Sequence, residues 1–206
     1  HKQIAQLKEG SHRFGISAMA FSPSNPNYLV SVGFKRDGSL ILWDWQAGEK
    51  LCVKKLNGKV FAVDFAADGE QFVTVGQGGH VKFWHVGVAA STGDDIVPIE
   101  QHRAGIMPAY RKAVFVDVAC GRGNLAGTTY AVTSCGSLVV FSANRLMEKW
   151  VELDCPSAHA LSIWHRPSRG AAKRGDEDVL AAACGGGITR LFRPRTLEYL
   201  ATLPPP

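Results

Sequence analysis

Short apolar segments alternate with polar turns along the whole chain, and one arrangement of residues recurs four times. Each copy opens with a glycine, continues with β-branched and other apolar residues and closes on an aromatic side chain. The four copies are GSLILWDW at 38–45, GHVKFWHV at 79–86, GSLVVFSA at 136–143 and GITRLFRP at 187–194. They follow one another at intervals of roughly 40 to 60 residues, which is typical of a repeat architecture rather than of a domain with a single core.

Each repeat is predicted to contain four short strands. In the first repeat they cover 16–22, 27–33, 39–45 and 49–56, and SPSNPN, KRDG and QAGE supply the turns between them. In the second repeat, IVPIEQ (96–101), within a long connector, is predicted to be the fourth strand. The inner strands carry apolar residues on both faces, as buried strands do, whereas the fourth strands mix charged with apolar residues, as exposed edges do.

Small four-stranded sheets that are apolar on both faces must stack to be stable. We therefore predict an all-β fold, a segment of a β-propeller with about four blades of four antiparallel strands. The bulky aromatic residue of each third strand is expected to fill the gap to the next blade. These blade-packing aromatic residues are Trp43, Trp84, Phe141 and Phe192. Because terminal blades would expose apolar faces, the isolated chain is expected to be unstable or to associate.

The whole chain, 1–206, is predicted to be one segment of a larger propeller. The predicted divisions are 1–10 as the fourth strand of a preceding blade, 11–57 as one blade, 58–112 as a blade with a long connector, 113–154 as a blade, and 155–206 as a blade with a basic insert at 166–178.

Composition narrows the functional classes without choosing one. Hydrophobic residues make up 46% of the 206 positions, no apolar run is long enough to span a membrane, and the five cysteines are dispersed without a CxxC pair. The histidines lack metal-ligand spacing, and no helix-forming segment follows the GxG of ACGRGNLAG (119–127). We therefore predict neither a metal nor a cofactor. The net charge of +5 permits acidic partners but does not demand nucleic acid.

The first repeat carries the most complete motif. An SH pair ending at His12 precedes its first strand, Ser31 lies in the second strand, Asp37 lies in the turn to the third, and a WD pair begins at Trp43. With these residues the chain resembles a WD-repeat propeller. The resemblance implies that His12, Ser31, Asp37 and Trp43 form a hydrogen-bonded structural tetrad, in which an imidazole is oriented between a carboxylate and a hydroxyl.

The other repeats depart from this motif. The second retains Thr74 and Trp84 but has Gly78 at the turn position, and the third and fourth have phenylalanine in place of tryptophan. The tetrad is therefore expected to be absent from blades two to four, where packing alone would hold the sheets.

A narrower resemblance rests on SVGFKRDGSLILWDW, VACGRG, EKWVEL and YLATLPPP. These segments resemble a WD-repeat subfamily that contains a mitogen-activated protein kinase-binding scaffold and its centrosomal, microcephaly-linked relative. The resemblance implies a non-catalytic protein-interaction scaffold for MAP kinase (JNK-type) signalling or for spindle-pole and cytoskeletal assemblies. The implied partners are MAP kinases or centrosomal and microtubule-associated proteins, and the implied location is the cytoplasm, including the centrosome, without membrane association.

Three alternatives remain open. One is a ciliary or microtubule-associated structural protein. Another is a nucleic-acid-associated propeller that uses the basic insert, although no aromatic residues are interleaved with its cations for stacking. The third is a hydrolase, because His12, Asp37 and Ser31 are the residue types of a catalytic triad. A serine inside a strand would be a poorly accessible nucleophile, so we predict no enzymatic activity.

A propeller presents rigid loops on two rims, where a few exposed aromatic or arginine side chains can anchor a partner. The candidate partner-binding residues in the predicted loops are Phe34, Arg36, Gln77 and Arg122.

Overall fold

The computed structural model describes residues 3–7, 10–87, 99, 102–165 and 178–204, which form four antiparallel sheets of four strands each. The first sheet contains β1 Ile16–Phe21, β2 Tyr28–Gly33, β3 Ser39–Asp44 and β4 Glu49–Lys55. The second contains β5 Val60–Phe65, β6 Gln71–Gly76, β7 Val81–His85 and β8 Arg103–Ala104. The third contains β9 Phe115–Cys120, β10 Thr129–Thr133, β11 Ser137–Phe141 and β12 Met147–Glu152, with a 3-10 turn at Gly123–Leu125. The fourth contains β13 Ala158–Trp164, β14 Val179–Cys184, β15 Ile188–Phe192 and β16 Tyr199–Leu203.

The sheets are simple meanders, and consecutive sheets stack on one another. In every sheet the strands are hydrogen-bonded in the order of the chain. The first strands of successive sheets are neighbours, because β1 contacts β5, β5 contacts β9, and β9 contacts β13. This is how successive blades of a propeller are arranged, so the prediction of an all-β propeller segment is confirmed.

The core lies between the sheets rather than within one of them. Three clusters of buried side chains each combine residues from two consecutive sheets. Leu42 of the first sheet shares a cluster with Phe72 of the second, and Leu138 of the third shares one with Leu180 of the fourth. Burial of each such side chain contributes about 1.5–3 kcal/mol. A sheet taken from this stack would lose most of that stabilisation.

The aromatic residues of the third strands occupy equivalent places in the four sheets. Each is the last or next-to-last residue of its strand, pairs with the beginning of the second strand and is at most 3% exposed. They are Trp43, Trp84, Phe141 and Phe192. The last three belong to clusters shared with the preceding sheet, and Trp43 lies on the matching face of the first sheet. Trp84, Phe141 and Phe192 therefore face the preceding sheet, and not the next blade as the sequence predicted.

The outward faces of the first and fourth sheets are apolar. Met19 and Phe21 of β1 are 63% and 57% exposed, and their cross-strand neighbours lie on the face that carries Trp43. In the fourth sheet, Trp164 and Leu203 are 55% and 48% exposed, and strand alternation turns them away from the third sheet. Both ends of the stack thus present the kind of surface that is buried between the inner sheets.

Two predicted strands differ in the structure. No strand is assigned over the described residues 3–7 of the predicted strand at 1–10, although Leu7 packs beside Trp43. The fourth strand of the second sheet is β8, which lies beyond IVPIEQ. Only Ile99 of that segment is described, and it forms a single bridge with Val86. An edge strand needs only backbone pairing and stays exposed, so the residues of β8 carried no apolar signal.

Candidate interaction surface

A buried hydrogen-bond chain anchors the rim of the first blade. The Trp43 indole N–H donates to the Ser31 hydroxyl, with Nε1 and Oγ 2.8 Å apart. Nε2 of His12 lies 2.9 Å from the same hydroxyl oxygen, and Nδ1 of His12 lies 3.0 Å from Oγ of Ser39. A neutral imidazole satisfies all these contacts if Ser31 donates to Nε2 and Nδ1–H donates to Ser39. Burial lowers the pKa of His12, partly offset by the charge of Asp37, which favours this neutral form.

The carboxylate of Asp37 fixes the loop before β1. It accepts the backbone N–H of Arg13 at 2.6 Å and that of Phe14 at 3.1 Å. The predicted tetrad therefore differs in detail, because Ser39 contacts the second ring nitrogen of His12 while Asp37 receives two backbone donors. Those donors lie in a loop outside any strand ladder, where a carboxylate is an effective acceptor.

The second blade has a hydrogen-bond chain of the same chemistry, which the sequence interpretation missed. The Trp84 indole N–H donates to the Thr74 hydroxyl at 2.9 Å, and that hydroxyl lies 2.8 Å from Nε2 of His80. Burial, followed by the positive charges of Lys82 and His102, lowers the pKa of His80 to about 4. The expectation of packing alone is thus corrected for blade two. The imidazole comes from the start of the third strand, and the GH pair of GHVKFW was the signal.

Blades three and four have no tryptophan donor at this place, as their sequences indicated. In the third blade, the Thr133 hydroxyl accepts the backbone N–H of Ser137 at 3.0 Å, which closes the turn between β10 and β11. In the fourth blade, Phe192 packs in the cluster shared with the third sheet.

Two partly buried carboxylates join the first strands of neighbouring sheets. Asp64 of β5 accepts the backbone N–H of Cys120 in β9 at 2.7 Å, and Asp117 of β9 accepts that of Leu161 in β13 at 2.7 Å. Burial is the main cause that raises the pKa of both carboxyl groups. Sequence reasoning did not single these residues out, although each is an aspartate inside an otherwise largely apolar first strand.

The four candidate partner-binding residues do not form one surface. Phe34, Arg36 and Gln77 lie in turns between second and third strands, which open on one rim. Arg122 precedes the 3-10 turn between β9 and β10, which opens on the opposite rim because antiparallel strands alternate direction. Of the four, Phe34 is 48% exposed and lies beside exposed Arg36. The first blade therefore has the strongest concentration of candidate anchors.

Comparison with known proteins agrees with this architecture. The family model described as "WD domain, G-beta repeat" matches residues 2–44 and 50–85. This chain is a WD-repeat protein. It is related to Mitogen-activated protein kinase-binding protein 1 of Mus musculus, with 36% identity over 204 residues, which is 99% of the chain and 12% of that protein.

Two further relatives are similar to smaller parts of the WD-repeat chain. WD repeat-containing protein 62 of Sus scrofa is 35% identical over 165 residues, which is 79% of the chain and 10% of that protein. Echinoderm microtubule-associated protein-like 1 of Rattus norvegicus is 42% identical over 72 residues, which is 34% of the chain and 9% of that protein. The chain thus spans no more than 12% of the length of these relatives.

The family and the names of the relatives point to a non-catalytic interaction domain. The alternative of a hydrolytic triad requires a reachable nucleophile, but Ser31 is 3% exposed and its oxygen already accepts the Trp43 indole N–H. Within the described ranges, no group of three or more His, Cys, Asp or Glu side chains could hold a metal ion, and no helix could cross a membrane. Of the basic insert, 166–177 lies outside the described residues.

Proposed function

We propose that this WD-repeat chain belongs to a scaffold that organises MAP kinase (JNK-type) signalling in the cytoplasm, including the centrosome and spindle pole. The observation that carries the proposal is the relationship to Mitogen-activated protein kinase-binding protein 1, which extends over 99% of the chain. The narrower similarity to WD repeat-containing protein 62 supports the same subfamily. Because the chain covers a small part of either relative, kinase binding is proposed for this segment and needs its own test.

The stacked sheets are suited to such a role. Their interiors are held by inter-sheet packing and by the hydrogen-bond chains of Trp43 and Trp84, so the connecting loops are displayed on rigid supports. A partner that binds preformed loops loses little affinity to loop ordering. A scaffold of this kind supplies no chemistry of its own and acts by holding its partners near one another.

A direct test uses the purified chain, immobilised on beads, and purified MAP kinases of the JNK, ERK and p38 classes. We expect JNK-type kinase to be retained above the level seen with an unrelated WD-repeat propeller on the same beads. Competition by the free chain should release the kinase. Equal retention on the unrelated propeller, or no retention, would contradict the proposal.

A second candidate function is association with microtubules. It is favoured by the 42% identity to Echinoderm microtubule-associated protein-like 1 over 72 residues. Co-sedimentation with polymerised tubulin tests it, with soluble tubulin as the control. A chain that pellets with microtubules and retains no kinase would support this function over kinase scaffolding.

A further inference from the structure

Two phenylalanines and two arginines form a compact group on one rim of the first blade. Arg13 and Phe14 lie in the loop before β1, and Phe34 and Arg36 lie in the turn between β2 and β3. We call these four residues the rim cluster. Phe14 and Phe34 are 46% and 48% exposed, and both arginines are exposed. Apolar rings beside arginines are the side chains that most often anchor protein partners.

The side chains of Arg13 and Arg36 lie near the Phe14 ring, and the Phe34 ring packs against the loop that carries Phe14. The guanidinium carbon of Arg13 lies 5.6 Å from the centroid of the Phe14 ring, and that of Arg36 lies 5.8 Å from the same centroid. These distances permit a cation–π attraction. The Phe34 ring packs against the backbone of Gly15, where an added Cβ would lie 2.8 Å from the ring. Gly15, with a φ of +133°, thus allows Phe34 to approach the loop that carries Phe14.

Hydrogen bonds hold the rim cluster in place before any partner arrives. Asp37 accepts the backbone N–H groups of Arg13 and Phe14, at 2.6 and 3.1 Å. The Phe34 N–H donates to the Gly15 carbonyl at 2.9 Å, and the Asp37 N–H donates to the Phe34 carbonyl at 2.8 Å. The two loops are therefore fixed to each other, and binding here would lose little conformational entropy.

The surroundings of the rim cluster are cationic. Lys35 is exposed between Phe34 and Arg36, and exposed Lys59 lies further along the chain, in the connection to the second blade, where its carbonyl accepts the N–H of Gln77. Across the part of the chain that the structure describes, the ion pairs within 4.0 Å involve none of these arginines and lysines. The carboxylate of Asp37 is engaged by backbone donors. A partner with several carboxylates would meet complementary charge here.

We propose that the rim cluster is a docking site for an acidic peptide segment, which lays an apolar side chain against Phe14 and Phe34 and places carboxylates near Arg13 and Arg36. A nucleic acid fits less well, because a single strand stacks successive bases on a series of aromatic rings, and the rim cluster contains two such rings. This inference rests on the proposed role as a protein-interaction scaffold, but not on the identity of the kinases.

The test is fluorescence anisotropy with the whole chain and a short labelled peptide of glutamates around one central phenylalanine. Three matched probes replace the phenylalanine with alanine, replace the glutamates with lysines, or substitute a labelled oligo-uridine strand. The variants are F14A, F34A and R36E. Their controls are F21A, which removes a phenylalanine 57% exposed on the outward face of the first sheet, and R103E, which reverses an exposed charge in the second sheet. Thermal melts verify that every variant is folded.

We expect the glutamate–phenylalanine peptide to bind and the other three probes to bind more weakly. Each of the three rim-cluster variants should weaken that binding about tenfold or more, as loss of a central anchor does, while the two controls leave it within about twofold. No binding, equal losses in F14A and F21A, or tighter binding of oligo-uridine would each overturn the inference. Kinase retention is measured separately: kinase bound without peptide refutes only this inference, and peptide bound without kinase refutes only the kinase proposal.

Discussion

The Asp64 carboxylate and the Cys120 backbone N–H, which lie 2.7 Å apart, join the second blade to the third. The other oxygen of the Asp64 carboxylate accepts the N–H of Phe65, in the same strand as Asp64, at 2.9 Å. One side chain thus satisfies backbone groups of two sheets, and Asp117 does the same between the third sheet and the fourth. Replacement of Asp64 by alanine should lower the free energy of unfolding by about 1–3 kcal/mol, because two N–H groups lose their acceptor. Urea unfolding measures this, with E148A, which removes an exposed carboxylate, as the comparison.

The same carboxylate predicts a pH dependence. Burial raises the pKa of Asp64 above its ordinary value of 3.8, so the folded chain holds this proton more firmly than the unfolded chain does. Stability from this group is therefore present at low pH and is lost as the pH rises from about 3.8 through the higher folded pKa. The stability of the wild type relative to D64N should decrease across that interval and then level off. A difference that grows with rising pH would contradict this assignment.

His80 should make the stability of the chain increase with rising pH, opposite to Asp64. Its pKa is lowered from 6.5 to about 4, mainly by burial, so only the unfolded chain takes up a proton between these values. Stability from the neutral ring is complete above pH 6.5 and is lost as the pH falls towards 4, by on the order of 3 kcal/mol in total. Unfolding of H80Q measured from pH 7 to pH 5 should lose the His80 part of this slope and keep the part from His12 and His102, whose pKa values burial also lowers. H159Q, which alters an exposed ring, should retain the full slope.

Gly33 leaves the space that the imidazole of His12 occupies. An added Cβ would collide with Nδ1 of His12 and lie 2.7 Å from Cβ of Asp37. G33A should therefore displace the ring and destabilise the chain by about 2 kcal/mol or more, as overpacking does. G48A, which meets no atom within 4 Å, is the comparison and should lose only about 1 kcal/mol, through its positive φ. Similar losses in both variants would show that the His12 site tolerates the extra atom.

The exposed faces of the first and fourth sheets predict self-association. Met19 and Phe21 at one end and Trp164 and Leu203 at the other present apolar area that matches the buried surfaces between inner sheets. Sedimentation velocity should show assemblies that grow with concentration, and M19K together with F21K should reduce them. A wild type that remains monomeric at every concentration and melts sharply would contradict the expectation.

The sequence predicted most of the architecture because inner strands carry two independent signals. Strands β2 and β3 are apolar on both faces and are bounded by turn residues, and the structure has them within two residues of the predicted bounds. The exposed edge strand β8 carries neither signal and was not predicted, and of the strand predicted at 96–101 only Ile99, which bridges Val86, is described. The role of Asp64 could not be predicted, because its partner is a backbone N–H 56 residues away, and a backbone group leaves no mark in composition. The hydrogen bonds of His80 were missed because, in the first repeat, the histidine of the motif lies before the first strand, whereas His80 directly precedes the third.

The hydrogen bonds of Asp64 and Asp117 also affect the strand register of neighbouring sheets. Each carboxylate accepts an N–H of its own strand and an N–H of the first strand of the next blade. A one-residue slip in one sheet would therefore move the acceptor away from its donor in the neighbouring sheet. The strand register of one blade is therefore coupled to that of the next through their first strands. This coupling would favour one arrangement of the sheets, although the repeats differ in sequence and their connectors differ in length.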